Sequence, residues 1–167
     1  MELKKFFLEQ LEREAVASRK VIERVPEGQN SWKPHERSME LGYLAALVAG
    51  MPGWPALMID HDELDLDGSG KSFRTGPVAT RAELLTLLEN GLAKSRKALE
   101  NTTEEHLMTT WRLKMGDQVL TEGPRYSTIA DGALSHMAHH RGQLTVYLRL
   151  NEAKVPAIYG PSADEWH

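Results

Sequence analysis

The segment SHMAHHRGQLTVYLRL, Ser135 to Leu150, places three of the chain's seven histidines within five residues. At about 100° per residue, Ile129, Ala133, Met137, His140, Leu144, Tyr147 and Leu148 share one broad face, so the stretch reads as an amphipathic helix with its apolar stripe turned inward. His136 and His140 lie on the inner side of that stripe. Their i, i+4 spacing stacks two imidazoles one turn apart, the arrangement by which a helix offers two nitrogens to one metal ion. His139 points about 60° away from His136 and is a shoulder residue. The spacing alone is equally that of two surface or half-buried histidines, and the rest of the chain has to decide between these readings.

A chain of 167 residues has the length of one domain, residues 1–167, with enough apolar side chains for a proper core. Its net charge of −4 offers no overall basic field, so nucleic acid is not an expected partner. There is no cysteine, which excludes disulfides, thiolate metal sites and a cysteine nucleophile; any metal must use histidine, carboxylate or water. The opening MELKKFFLEQLEREAV carries charge in every turn and reads as neither a signal peptide nor a membrane span. No later apolar run is expected to reach spanning length. The expectation is a cytoplasmic protein with no membrane partner.

Taken in order, the first helix is expected from Leu3 to Val25, with Phe7, Leu11, Ala15, Ser18 and Ile22 along one face and Pro26 and Gly28 ending it. A loop with Trp32, Pro34 and His35 follows, and a second helix resumes after Ser38, read as its N-cap, with Leu44, Leu47, Val48 and Met51 inward. Pro52 and Pro55 interrupt it before a further turn or two from Ala56. From Asp60 to Pro77 the chain is acidic, then glycine-rich, then basic, without a period, and is read as a long connection. Its acidic half fails the calcium-loop pattern because no glutamate follows Asp67-Gly68 at the required place. Thr80 and Glu83 form a capping box that opens a third helix ending near Glu100, and Thr102 with Glu105 suggests a short turn around His106. Trp111 to Leu120 reads as a small hairpin turning at Gly116-Asp117. Thr128 with Asp131 caps the last helix, and the C-terminal tail is irregular. The fold class is therefore all-α: a four-helix bundle with a small β-hairpin between helices 3 and 4.

WKPHERSMELGYLAALVAGMPGW in the second helix and HMAHHRGQLTVYLRL in the fourth resemble the DinB/YfiT-like superfamily, and with the hairpin the resemblance covers most of the chain. It implies an up-down-down-up bundle, often a homodimer, with a divalent metal (nickel, zinc, iron or manganese) held by three histidines. Two of those positions fall on His136 and His140. The third, in the pattern L-A-x-H, falls on Leu47. Tyr43, Met51 and Glu40 are poor replacements, so His35 is the candidate additional ligand. Trp32 and Trp54 are read as packing the bundle's end, and Arg141 and Arg149 as surface or dimer contacts. The resemblance implies a metal-dependent transferase or isomerase acting on a small-molecule thiol, with His136 and His140 as ligands and His139 as a proton carrier. The alternative is a non-catalytic bundle that keeps its cavity as a small-molecule binding or interaction module.

Overall fold

The computed structural model describes residues 2–67 and 80–166. In order, its elements are α1 (Leu3–Ile22), α2 (Leu41–Gly50), a 3-10 turn (Met51–Gly53), α3 (Trp54–Asp60), β1 (Glu63–Asp65), α4 (Arg81–Asn101), α5 (Glu104–Met108), β2 (Thr110–Met115), β3 (Gln118–Pro124), α6 (Arg125–Thr128), a π-helical segment (Ile129–Ser135) and α7 (His136–Leu150). The protein is mainly helical, and the expected hairpin is one part of a small mixed sheet. β2 pairs antiparallel with β3, and β1 lies parallel to β2 with Leu64 opposite Leu113. The all-α expectation is corrected to that extent. The third strand comes from the connection read as structureless, whose residues 68–79 lie outside the described part.

Local chemistry explains most boundaries. α1 stops at Ile22 rather than Val25, just short of Pro26 and of Gly28, whose φ of +78° suits glycine. Its first amides, Leu3 and Lys4, donate to the Glu104 carboxylate at 3.0 and 3.1 Å, so a residue of α5 caps α1. α2 begins at Leu41, later than expected: the Ser38 amide donates to the His35 carbonyl at 3.0 Å, which holds Ser38 inside a turn instead of at a cap. Pro52 and Pro55 sit in the first positions of the 3-10 turn and of α3, where a missing N–H costs least. The Thr80–Glu83 capping box is present. The next cap is Thr103, which accepts from the His106 amide, one residue beyond the expected Thr102. Helical structure after Pro124 starts at Arg125, one turn early, and the Thr128 hydroxyl donates back to the Arg125 carbonyl at 2.9 Å instead of capping.

Ion pairs Arg19–Glu89 and Arg96–Glu12 run α1 and α4 in opposite directions. Gly53 meets Gly91 closely enough that a Cβ on Gly91 would stand 2.8 Å from the Gly53 nitrogen, so both positions need glycine for the two backbones to touch. The 20-residue stretch Leu41–Asp60 contains an 18-residue window of mean hydropathy 1.4, long and apolar enough to cross a membrane, against the expectation from sequence; 61% of that window is buried within this fold. Two apolar clusters fill the interior. One gathers Phe7, Leu11, Leu92, Leu99, Leu107, Trp111 and Ile129; the other gathers Ile22, Leu41, Leu44, Val48, Leu88, Leu144 and Leu148.

Between them in chain position lies a buried polar group, which corrects the reading of Arg141 as a surface residue. Arg141 is 1% exposed and donates to the Glu14 carboxylate at 2.5 Å, to the Glu14 carbonyl at 3.1 Å and to the Ser18 hydroxyl at 3.2 Å. The Tyr159 hydroxyl donates to the same carboxylate at 2.7 Å, which ties the C-terminal tail to α1. Burial, then this bond to Glu14, raise the Tyr159 pKa. Arg149 pairs instead with Asp164 of the tail at 2.6 Å. Removing one partner of a buried ion pair strands the other charge, so Arg141→Leu is expected to lower the unfolding free energy by about 3–5 kcal/mol in urea titration. The double variant Glu14→Leu/Arg141→Leu should lose less than the sum of the two single changes. A single-variant loss within about 1 kcal/mol, the range of exposed pairs, would show the pair to be solvated.

Candidate ligand cavity and histidine pair

The last helix is continuous over residues 125–150 but is wound as a π-helix between Ile129 and Ser135. Such segments widen the turn and recur at functional sites. Here it sits against a cavity of about 510 Å³, to which Thr128, Asp131, Gly132 and His136 contribute the helical wall. Trp54 and Met58 of α3 form a second wall. The third is the sheet. Trp111 pairs with Gly123 and Leu113 with Thr121, and directly opposed residues of an antiparallel pair project on the same face, so all four line the cavity together. Gly123 leaves room opposite the indole, since a Cβ there would meet nothing within 4 Å.

At the end of this cavity stands the expected histidine pair. His136 Nε2 and His140 Nε2 are 2.9 Å apart, and the ring of Trp54 meets His136 edge-on at 5.5 Å. His140 is 9% exposed, whereas His136 and His139 are exposed. His140 Nδ1–H donates to Gln143 Oε1 at 2.8 Å, which orients the ring and leaves its Nε2 lone pair facing His136. Burial lowers the His136 pKa, and the neighbouring His140 lowers it further, while a hydrogen bond with the Gly132 backbone opposes both. The neutral imidazole, the form that accepts a proton or a metal, is therefore favoured.

Two nitrogens 2.9 Å apart and each about 2.0–2.1 Å from one ion would subtend about 90° at the metal, an acceptable cis angle. The donor set nevertheless stops at two. Among the described residues no group of three histidine or carboxylate side chains comes together. His35 lies exposed in its loop, where its Nδ1 accepts from the Arg37 amide at 3.1 Å, and it closes its own turn rather than reaching the pair. His139 packs against His140, ring centroids 5.0 Å apart, and does not line the cavity. The described residues thus bring two imidazole nitrogens together and add no third donor to them.

Trp54 packs against one apolar cluster and also lines the cavity beside His136; Trp32 packs against the other, edge-on to Tyr147 at 5.5 Å. Trp111, Met58 and the glycines at 123 and 132 were missed. Alternation in the hairpin puts Trp111 and Leu113 on one face, but a register shift between Leu113 and Lys114 hides which residues of β3 oppose them.

The DinB family model matches residues 3–167. The chain belongs to the DinB family. It is 26% identical, over 96% of its length and 90% of the relative's, to the uncharacterized protein YrdA of Bacillus subtilis strain 168. Its fold is similar to the crystal structure of the DinB-like protein YjoA of Bacillus subtilis, with a TM-score of 0.64, 20% identity, and 90% and 94% of the two chains covered.

Leu47 can be placed against the pair. The Tyr147 hydroxyl donates to the Met39 carbonyl at 3.1 Å, and Trp54 meets His136 at the other end, so the stretch carrying α2 and α3 runs antiparallel to α7. Position 47, midway between Met39 and Trp54, is level with His140, and Leu47 is half-buried there. Leu47→His is therefore expected to complete a three-imidazole site. It should cost the metal-free protein about 1–3 kcal/mol for placing a polar ring where leucine packed. Nickel or zinc should then raise its melting temperature well beyond any rise in the wild type. An equal response in both proteins would mean that position 47 does not face the pair.

Proposed function

We propose that this DinB-family chain binds an apolar small molecule in the cavity between α3, the sheet and the π-helical segment, and does so without a protein-held metal. The observation that carries this reading is the junction of a half-open, mainly apolar cavity with a histidine pair that no third ligand joins among the described residues. Pockets for small molecules are typically a few hundred cubic ångströms, mainly apolar, with few polar groups at their ends. His136 supplies such a group here. The up-down-down-up helix order belongs to the same reading and is supported by the antiparallel contacts of α1 with α4 and of α2 with α7.

Naphthalene, whose fluorescence changes on leaving water, is a suitable probe. Wild type is expected to bind it at micromolar concentration. Gly123→Phe, which sets a ring opposite Trp111, should weaken binding at least tenfold with the melting temperature nearly unchanged. Undiminished binding by the variant would place the probe elsewhere.

A second reading, the metal-dependent transferase or isomerase of a small-molecule thiol implied by the family resemblance, is favoured by the convergence of the two Nε2 atoms. Metal analysis of protein purified without a histidine tag separates the two. The cavity reading expects far less than one equivalent of nickel, zinc, iron or manganese per chain, and a tight stoichiometric metal lost in His140→Ala would favour the enzyme.

We also propose a cytoplasmic homodimer that pairs through helix faces. Val146 and Leu150, one turn apart on α7, are 56% and 54% exposed, which supports an apolar contact there. Light scattering at micromolar concentration should give twice the chain mass; a monomer mass would overturn it.

A further inference from the structure

Resting on the small-molecule reading of the cavity, we infer that its ligand is a flat, uncharged aromatic molecule bearing one carbonyl, and that the Trp111 indole N–H receives that carbonyl oxygen. Trp111 is 2% exposed, and its Nε1 is a buried donor with no hydrogen-bond partner among the described residues. Buried indole N–H groups usually find an acceptor, because one left unmade costs free energy that a bound acceptor would return. The ring that carries this donor lines the cavity while the N–H itself is closed to a water-sized molecule, so an occupant of the cavity supplies the missing acceptor once a wall side chain gives way.

Shape and charge narrow the class further. Two indoles, Trp54 and Trp111, contribute to the walls, and aromatic walls favour aromatic guests through offset and edge contacts. The absence of a side chain at Gly123 leaves space beside the Trp111 ring. Met58 is the adaptable part of the wall. Its methyl lies 3.2 Å from where a Cβ on Gly132 would be, and its unbranched chain can change rotamer to admit a guest. The charged residues lining the cavity are Asp131 and Glu122, the latter paired with Arg112. Among the described residues no lysine or arginine lines it to receive a carboxylate, so a neutral ketone or amide fits better than an acid.

The test uses three probes of one shape: 2-acetylnaphthalene; 2-isopropenylnaphthalene, in which a CH2 replaces the carbonyl oxygen; and 2-naphthoate. Wild type should prefer the ketone to the hydrocarbon by a ratio about tenfold larger than Trp111→Phe does, as expected for one buried hydrogen bond. Comparing ratios cancels any general loss of packing in the variant. On wild-type protein, independently of that variant, one of the four tryptophan indole 15N–1H resonances should move downfield with the ketone and not with the hydrocarbon. If neither neutral probe binds, the cavity reading itself falls and takes this inference with it. If both bind with equal ratios in the two proteins and no indole resonance separates them, the cavity stands and the role of Trp111 is overturned. Tighter binding of naphthoate than of the ketone would overturn the requirement for a neutral ligand.

Discussion

One guanidinium determines where the sheet can sit. Arg125, 1% exposed, donates to the carbonyls of Met58 at 3.0 Å, Thr110 at 3.1 Å and His61 at 3.2 Å, and also to the Thr109 hydroxyl and the Asp62 carboxylate. These acceptors belong to the end of α3, the approach to β1 and the start of β2, while Arg125 itself opens the last helix. A rigid fork with five N–H donors can join four chain segments in one geometry, which the point charge of a lysine cannot. The carbonyls near the end of α3 would otherwise lack helical partners, so the cation answers a need that the helix creates. Because Arg125 holds α3, the sheet and the last helix together, it holds the three walls of the cavity.

Arg141 works differently. It joins α7 to α1 between the two apolar clusters, at the level of His136 and His140, so the polar residues of α7 are not scattered through its stripe. They occupy one layer. Within it, Glu14 and Ser18 satisfy the arginine and Gln143 satisfies His140, while the apolar clusters close above and below. A buried ion pair adds little net stability over an apolar core of equal volume, but it penalises any register of α1 on α7 that separates the charges. The layer also fixes the rotation of α7 about its axis, and with it the direction in which the histidine nitrogens converge.

The helices were legible because their stripes repeat over many turns, and the His136–His140 pair because i, i+4 spacing is a property of the helix alone. What the sequence did not reveal depends on contacts between distant segments. Ser38 has the chemistry of an N-cap, yet the His35 carbonyl captures its amide. β1 is three residues long and exists because Leu64 finds Leu113, nearly fifty positions on, which no local period can announce. Arg141 was misread for a related reason. On a helical wheel Arg141 lies at the edge of the stripe, and only Glu14, from a helix more than a hundred residues earlier, makes its burial tolerable. The cavity is the extreme case, since its walls come from three separate parts of the chain.

Leu47 also changes what the histidine pair can be. Two bare imidazole nitrogens at 2.9 Å would set lone pair against lone pair, so without a metal the contact must contain a proton. His140 donates its Nδ1–H to Gln143 and His136 is held by a hydrogen bond with the Gly132 backbone, so each ring is fixed with its Nε2 turned to the other. The lowered pKa of His136 keeps a second proton, and hence a net positive charge, from accumulating there. The cavity that ends at this pair is otherwise mainly apolar, with the indole of Trp111 in its wall. Leu47, half-buried at the same level of the bundle, offers the pair no further nitrogen, so the two imidazoles stand as the polar end of an apolar surface.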